Sequence, residues 1–156
     1  MSDPRVTALA QILVRHSTRV KEGDVCGIEG ESVAEPLLQA IYEEVLDAGG
    51  NPIVNIGWEG QSAAYFEHAS DAQLEWISPV AEWIVENADV RIRVMATQNT
   101  RALSQVPPDK QAKRQAATQT LMKRMMERSA EGTYRWALTL FPTHAYASEA
   151  GMSLAS

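Results

Sequence analysis

A water-activating metal centre needs several His, Asp, Glu or Cys side chains converging on one ion, with second-shell partners and an open position for water. The sequence offers three histidines and one cysteine. His16, His68 and His144 lie on three well-separated stretches. No H-E-x-x-H helix motif or paired-cysteine spacing occurs, and the adjacent Glu43 and Glu44 would point in different directions on a helix. Each histidine therefore reads as a surface or hydrogen-bonded residue. His144 is kept as a candidate because it follows the last strand-like segment, and open α/β sheets bind ligands beyond the carboxyl ends of their strands. Nucleophilic catalysis has no better footing: there is no G-x-S-x-G elbow, and Ser104 and Ser153 have no context that implies a base. The loop Gly27-Ile28-Glu29-Gly30-Glu31-Ser32 joins a strand to a helix, where an anion could sit. It matches neither phosphate-binding glycine motif, and Glu29 and Glu31 would repel a phosphate. No catalytic residue and no metal ligand emerges.

Composition narrows the classes further. The net charge of -6 opposes gathering nucleic acid or anionic lipid. The cluster Lys110, Lys113, Arg114, Lys123, Arg124 and Arg128 is interleaved with Asp109, Glu127 and Glu131, which is the pattern of an ion-paired, solvated helix face. No apolar run reaches the roughly 18 residues a membrane span needs, and the opening residues carry no secretory pattern. A lone cysteine, Cys26, cannot close an internal disulfide and reads as a small apolar strand residue. The expectations are a cytoplasmic protein with no nucleic-acid and no membrane partner.

Elements that would position any site follow from periodicity. Asp3 and Pro4 start a helix whose inward residues are Val6, Leu9, Ala10, Leu13 and Val14, running to about Thr18. Val25 to Ile28 make a short strand ending at Gly30. Ala34, Leu38, Ile41, Val45 and Ala48 step by four and three along a second helix, stopped at Gly49-Gly50. Pro52 to Ile56 form a second strand closed by Gly57, and Ser70 caps another helix. Trp76, Ile77, Val80, Trp83 and Ile84 predict one buried helical face. Val90, Ile92 and Val94 alternate with Arg91 and Arg93, a strand whose second face is less apolar than a doubly covered sheet requires. Pro107-Pro108 precede a long helix to about Ala130 with Ala117, Leu121, Met122 and Met125 inward and Met126 at the core margin. Tyr134 to Phe141 form a fourth strand, and a weak helical signal follows Glu149. Strands alternating with helices predict one α/β domain over residues 1–156, a Rossmann-like three-layer sandwich with a mainly parallel sheet of about four strands.

Four ordered stretches carry a resemblance. They are Leu13-Val14 with Val20-Lys21-Glu22-Gly23-Asp24; Ala34-Glu35-Pro36-Leu37 with Ile41-Tyr42-Glu43-Glu44; His68 to Leu74 with Ile92-Arg93 and Asn99-Thr100-Arg101-Ala102-Leu103-Ser104; and Arg135-Trp136, Leu138 to Thr143 and Glu149 to Ser153. Together they resemble the N-terminal domain of the thermophilic-type metallo-aminopeptidases, the aminopeptidase T family. The resemblance implies an exopeptidase that releases N-terminal amino acids with a divalent metal centre, zinc, cobalt or similar. It places the metal ligands in a C-terminal catalytic domain that this sequence, ending at Ser156, lacks. The chain alone is then expected to bind no metal, to be inactive, and to meet peptide substrate only through that missing domain. A homodimer is also an open expectation. Arg93, Asn99, Thr100 and Arg101, on and beyond the third strand, are the candidates for contact with substrate or with the other domain. The competing reading is a non-enzymatic α/β binding or assembly module. A small nucleotide- or phosphate-binding protein of the doubly wound class is a third, resting on fold analogy alone.

Overall fold

The computed structural model describes residues 3–154. Met1, Ser2 and the terminal Ser156 of the sequence reading lie outside the described residues. Helix α1 (Pro4–Gln11) is capped by Asp3, whose side chain accepts from the Arg5 N–H. It continues through one wide turn over Ile12–Ser17, where the Thr18 N–H reaches back five residues to the Leu13 carbonyl. Strand β1 (Val25–Glu31) leads through a tight turn at Ser32–Ala34 into α2 (Glu35–Asp47), and β2 (Asn51–Gly57) follows. Short helices α3 (Gln61–His68), α4 (Asp71–Glu75) and α5 (Pro79–Asn87) cross back to β3 (Val90–Met95). The long α6 (Pro108–Ala130), β4 (Arg135–Leu140) and α7 (His144–Glu149) complete the order.

The four strands form one sheet in the order β2-β1-β3-β4, every pair parallel. Parallel neighbours need helical crossovers, and these place helices on both faces, the three-layer α/β architecture that the alternation of elements predicts. On one face Cys26, Ile28, Val90, Ile92 and Val94 pack against Val14, Leu37, Leu38, Ile41 and Val45, all buried. Burying each such side chain contributes about 1.5–3 kcal/mol, which makes this layer the main source of stability. The α2 stripe runs as the four-and-three spacing predicts, with Leu37 buried as well. Its stop is a Schellman turn: the Gly50 N–H donates to the Val45 carbonyl and the Gly49 N–H to Leu46, with Gly49 at φ +82°. Ser70 and Gln73 form the capping box of α4.

The structure departs from the sequence expectations in four places, three of them on the opposite face. Trp76, Val80 and Trp83 are 61%, 65% and 49% exposed rather than buried. The chain leaves α4 at Trp76, Pro79 restarts it as α5, and only Ile84, Val85 and Ala88 turn toward the sheet. On α6, Met125 is buried but Met122 is exposed, because the inward line runs through Met125 and Arg128. Arg128 is consequently no part of a solvated basic face. It is buried, donates to the carbonyls of Val85, Ala88 and Thr133, and lies over the Tyr134 ring. Finally, the helix near the carboxyl end spans His144–Glu149 and ends where the sequence signal starts, because Thr143 caps it through the Tyr146 N–H.

The rest of the α6 cluster also holds structure together. Lys110 donates to the Phe66 carbonyl, Arg114 to those of Leu74 and Trp76, Lys113 pairs with Asp71 and Arg124 with Glu86. These bonds lash α6 to the α3–α5 segment. Arg91, on the second face of β3, is answered by Glu29 of β1 through two hydrogen bonds of 3.0 and 2.6 Å. Burial works against the Arg91 charge, but Glu29 outweighs it and the guanidinium pKa is raised. Tyr134 sits beside this pair, fully buried, its hydroxyl without a hydrogen-bond partner among the described residues. Cys26 is buried in the first face, where loss of solvent and the nearby Asp24 charge push its thiol up to about 12.

Candidate functional site

In an open sheet of order 2-1-3-4, the connections from β1 and β3 leave in opposite directions, and their carboxyl ends open a crevice between them. The chain has a cleft at that place, with a volume of about 570 Å³, whose lining includes Glu31, Asn55, Trp58, Arg93, Thr97 and Tyr146. A side lobe of about 210 Å³ shares Glu31, Trp58 and Thr97 and adds Glu59, Asn99 and Thr100. A cavity of about 620 Å³ lies elsewhere, between α1 and the segment after β4, lined mostly by apolar side chains such as Val6, Leu9, Phe141 and Met152. Its charged rim residues, Asp3 and Arg5, are paired with each other. The crevice over β1 and β3 is instead lined mainly by polar and charged side chains, which marks a binding site better than volume does.

Each wall follows from local folding. Gly30 lets β1 run close under α2: a Cβ there would lie 2.8 Å from Leu38 Cδ2 and 3.2 Å from the Val94 carbonyl oxygen. Glu31 then ends β1 at the mouth, level with Gly57 at the end of β2. Burial raises the Glu31 pKa, Glu59 reinforces the rise and Arg93 partly offsets it. A carboxyl group raised in this way favours the folded state while protonated and loses that contribution as pH climbs through its folded pKa. At neutral pH its ionised form is held at a cost, as is common at functional positions.

The loop after β3 is pinned from both sides. Glu59 accepts from the Thr97 hydroxyl at 3.2 Å and the Gln98 N–H at 3.2 Å. Asn99 Oδ1 accepts from the Arg101 N–H, and the Thr100 hydroxyl donates to Glu149. Thr143 donates to the Thr97 carbonyl at 2.6 Å, which docks the start of α7 against the same loop. Tyr146 of α7 reaches the mouth, its hydroxyl pKa raised first by burial and then by the charges of Glu31, Glu59 and Glu149.

Of the residues singled out in the sequence, Arg93, Asn99 and Thr100 line this crevice. Arg101 is exposed outside its lining, and so is His144 at the first position of α7. Glu31, Glu59, Trp58 and Tyr146 were not among the sequence candidates. The carboxyl end of β1 is the signal that could have found Glu31, since the same rule selected the end of β3. Among the described residues no group of three or more His, Cys, Asp or Glu side chains is placed to hold a metal ion. The acids of the crevice do not converge on one point either: Glu29 is engaged by Arg91 and Glu59 by Thr97 and Gln98, which leaves Glu31 alone.

Fold and crevice together define a doubly wound α/β domain with its open polar site at the switch point of the sheet. The chain belongs to the thermophilic metalloprotease (M29) family, whose pattern it matches over residues 2–156. Its structure is similar to that of wild-type AmpT from Thermus thermophilus, with a TM-score of 0.74 and 18% identity over 93% of this chain and 38% of AmpT. At that identity the likeness shows the fold, and the chain spans well under half the length of AmpT. No curated protein matches it in sequence. Among the described residues no helix is long and apolar enough to cross a membrane.

Proposed function

We propose that this chain is the N-terminal portion of a metal-dependent aminopeptidase that releases N-terminal amino acids from peptides, and that the groups holding the metal belong to polypeptide outside these 156 residues. The observation that carries the reading is the match to a metalloprotease family along residues 2–156, in a domain without a set of converging metal ligands among its described residues. A divalent ion such as zinc or cobalt would activate water and polarise the scissile carbonyl in the complete enzyme. No step of that chemistry runs through the residues present here. Their part is to position: Arg93, Asn99 and Thr100 face substrate or the catalytic half from the crevice, and the chain itself does not turn over peptide. The whole protein acts in the cytoplasm, as a monomer or a homodimer. The test is the polypeptide encoded by the uninterrupted reading frame. It is expected to cleave aminoacyl p-nitroanilides and to lose that activity on chelation. A frame that stops after codon 156, with this chain stable and abundant in cells, would contradict the proposal.

A second reading, a non-enzymatic assembly module, is favoured by one feature. Strand β4 is an edge of the sheet, and its Trp136, Leu138 and Leu140 are 48%, 52% and 54% exposed. Parallel strands are normally covered on both faces. An assembly partner would cover this strip without any catalysis.

A further inference from the structure

The charges of the crevice are unusual in being kept apart. Glu29, the residue in register with Arg93 across β1 and β3, has both carboxylate oxygens committed to Arg91. Among the described residues, the exposed Arg93 guanidinium consequently donates no hydrogen bond and closes no ion pair, although it lies close enough to Glu31 to lower its pKa. The Glu31 carboxylate in turn accepts no hydrogen bond among the described residues, although it is partly buried. Two opposite charges in one crevice normally collapse onto each other or dissolve into solvent. Here the strands fix them at the ends of β1 and β3, two residues out of register, since Arg93 pairs with Glu29 and Gly30 with Val94. Charge-assisted hydrogen bonds, the strongest polar contacts a protein makes, remain available at both.

We propose that this crevice is a binding site for a small zwitterion, a free amino acid or a dipeptide, with Arg93 receiving its carboxylate and Glu31 its ammonium group. A guanidinium presents a planar fork that suits a carboxylate. A partly buried carboxylate suits a compact ammonium, and the partial loss of solvent around Glu31 strengthens that contact. Exposed Trp58 and partly buried Tyr146 line the same crevice and supply aromatic surface to it. The volume of about 570 Å³ admits one or two residues of peptide. A phosphate is disfavoured because Glu31 and Glu59 stand at the same mouth. The site belongs to this chain alone, so it stands or falls separately from the peptidase reading.

The test is a titration of the 156-residue chain with Ala-Ala, N-acetyl-Ala-Ala and Ala-Ala-amide, followed by the backbone amide and indole resonances in two-dimensional NMR. Ala-Ala is expected to shift Gly30, Glu31, Val94 and the Trp58 indole. Removing either charge from the ligand should weaken binding about tenfold or more. Arg93→Ala should abolish the preference for Ala-Ala over its amide. Glu31→Gln should abolish the preference over the acetylated peptide. Thermal unfolding of each variant confirms that it is folded. Three results would overturn the site: no shift at the crevice with millimolar Ala-Ala, equal affinity for all three peptides, or preferences that survive both substitutions.

Discussion

The two faces of the sheet are built from the same strands and serve different ends. On the α1–α2 face every inward residue of β1 and β3 is apolar or glycine, and the layer is sealed by Leu37, Ile41 and Val45. On the α5–α6 face the same strands present Glu29, Glu31, Arg91 and Arg93, and the covering helices are tied down by Arg128, Arg114 and Lys110 through carbonyl oxygens. Beyond α6 the strip on β4 is left open. Non-directional burial holds the first face, and directed polar bonds hold the second. The second face can therefore carry unsatisfied charge at its carboxyl end without loosening the core.

Substitutions should separate the faces by size of effect. Ile41→Ala on the sealed face is expected to cost about 2–5 kcal/mol in denaturant unfolding, since it opens a cavity in a fully buried layer. A cost near zero would mean that this layer does not carry the fold. On the polar face, Arg91→Met is expected to cost about 2 kcal/mol by leaving Glu29 mostly buried and unpaired. Pairing it with Glu29→Met should restore more than half of that loss. If the double variant is no better than the single one, the pair is not an isolated unit. Glu31→Gln is expected to raise stability slightly at pH 7 and to leave it unchanged at acid pH, where Glu31 is already protonated. A loss of stability at neutral pH would reverse the sign argued for that group. Smallest of all, Leu138→Ser on the open strip should change stability by less than about 0.5 kcal/mol. A larger loss would show that the strip is already covered in solution.

The sealed face was legible because its signals are local. The spacing of α2 and its glycine stop are written within a few residues of one another, and so, on the other side of the sheet, is the cap at Ser70. Alternation marked β3 and showed that its second face was not a dry one. What answers Arg91 was invisible, because Glu29 stands 62 residues away and meets it only when β1 and β3 pair. Trp76, Val80 and Trp83 misled for a related reason: an apolar residue at helical spacing reports amphipathicity, not whether another layer arrives to cover it. Arg128 misled in the opposite sense, since its charge reads as exposed until three carbonyls are found around it. At the crevice, the strand-end rule points to Arg93, Asn99 and Thr100, which line it, while His144 and Arg101 stand exposed outside its lining.

The claim beneath the proposed function is that this domain positions and does not hold the metal. Equilibrium dialysis of the purified chain against micromolar zinc and cobalt, with metal counted per polypeptide, tests it most directly. No stoichiometric uptake above that of the unfolded chain is expected. One tightly held ion per folded chain, released by substituting crevice acids, would contradict it.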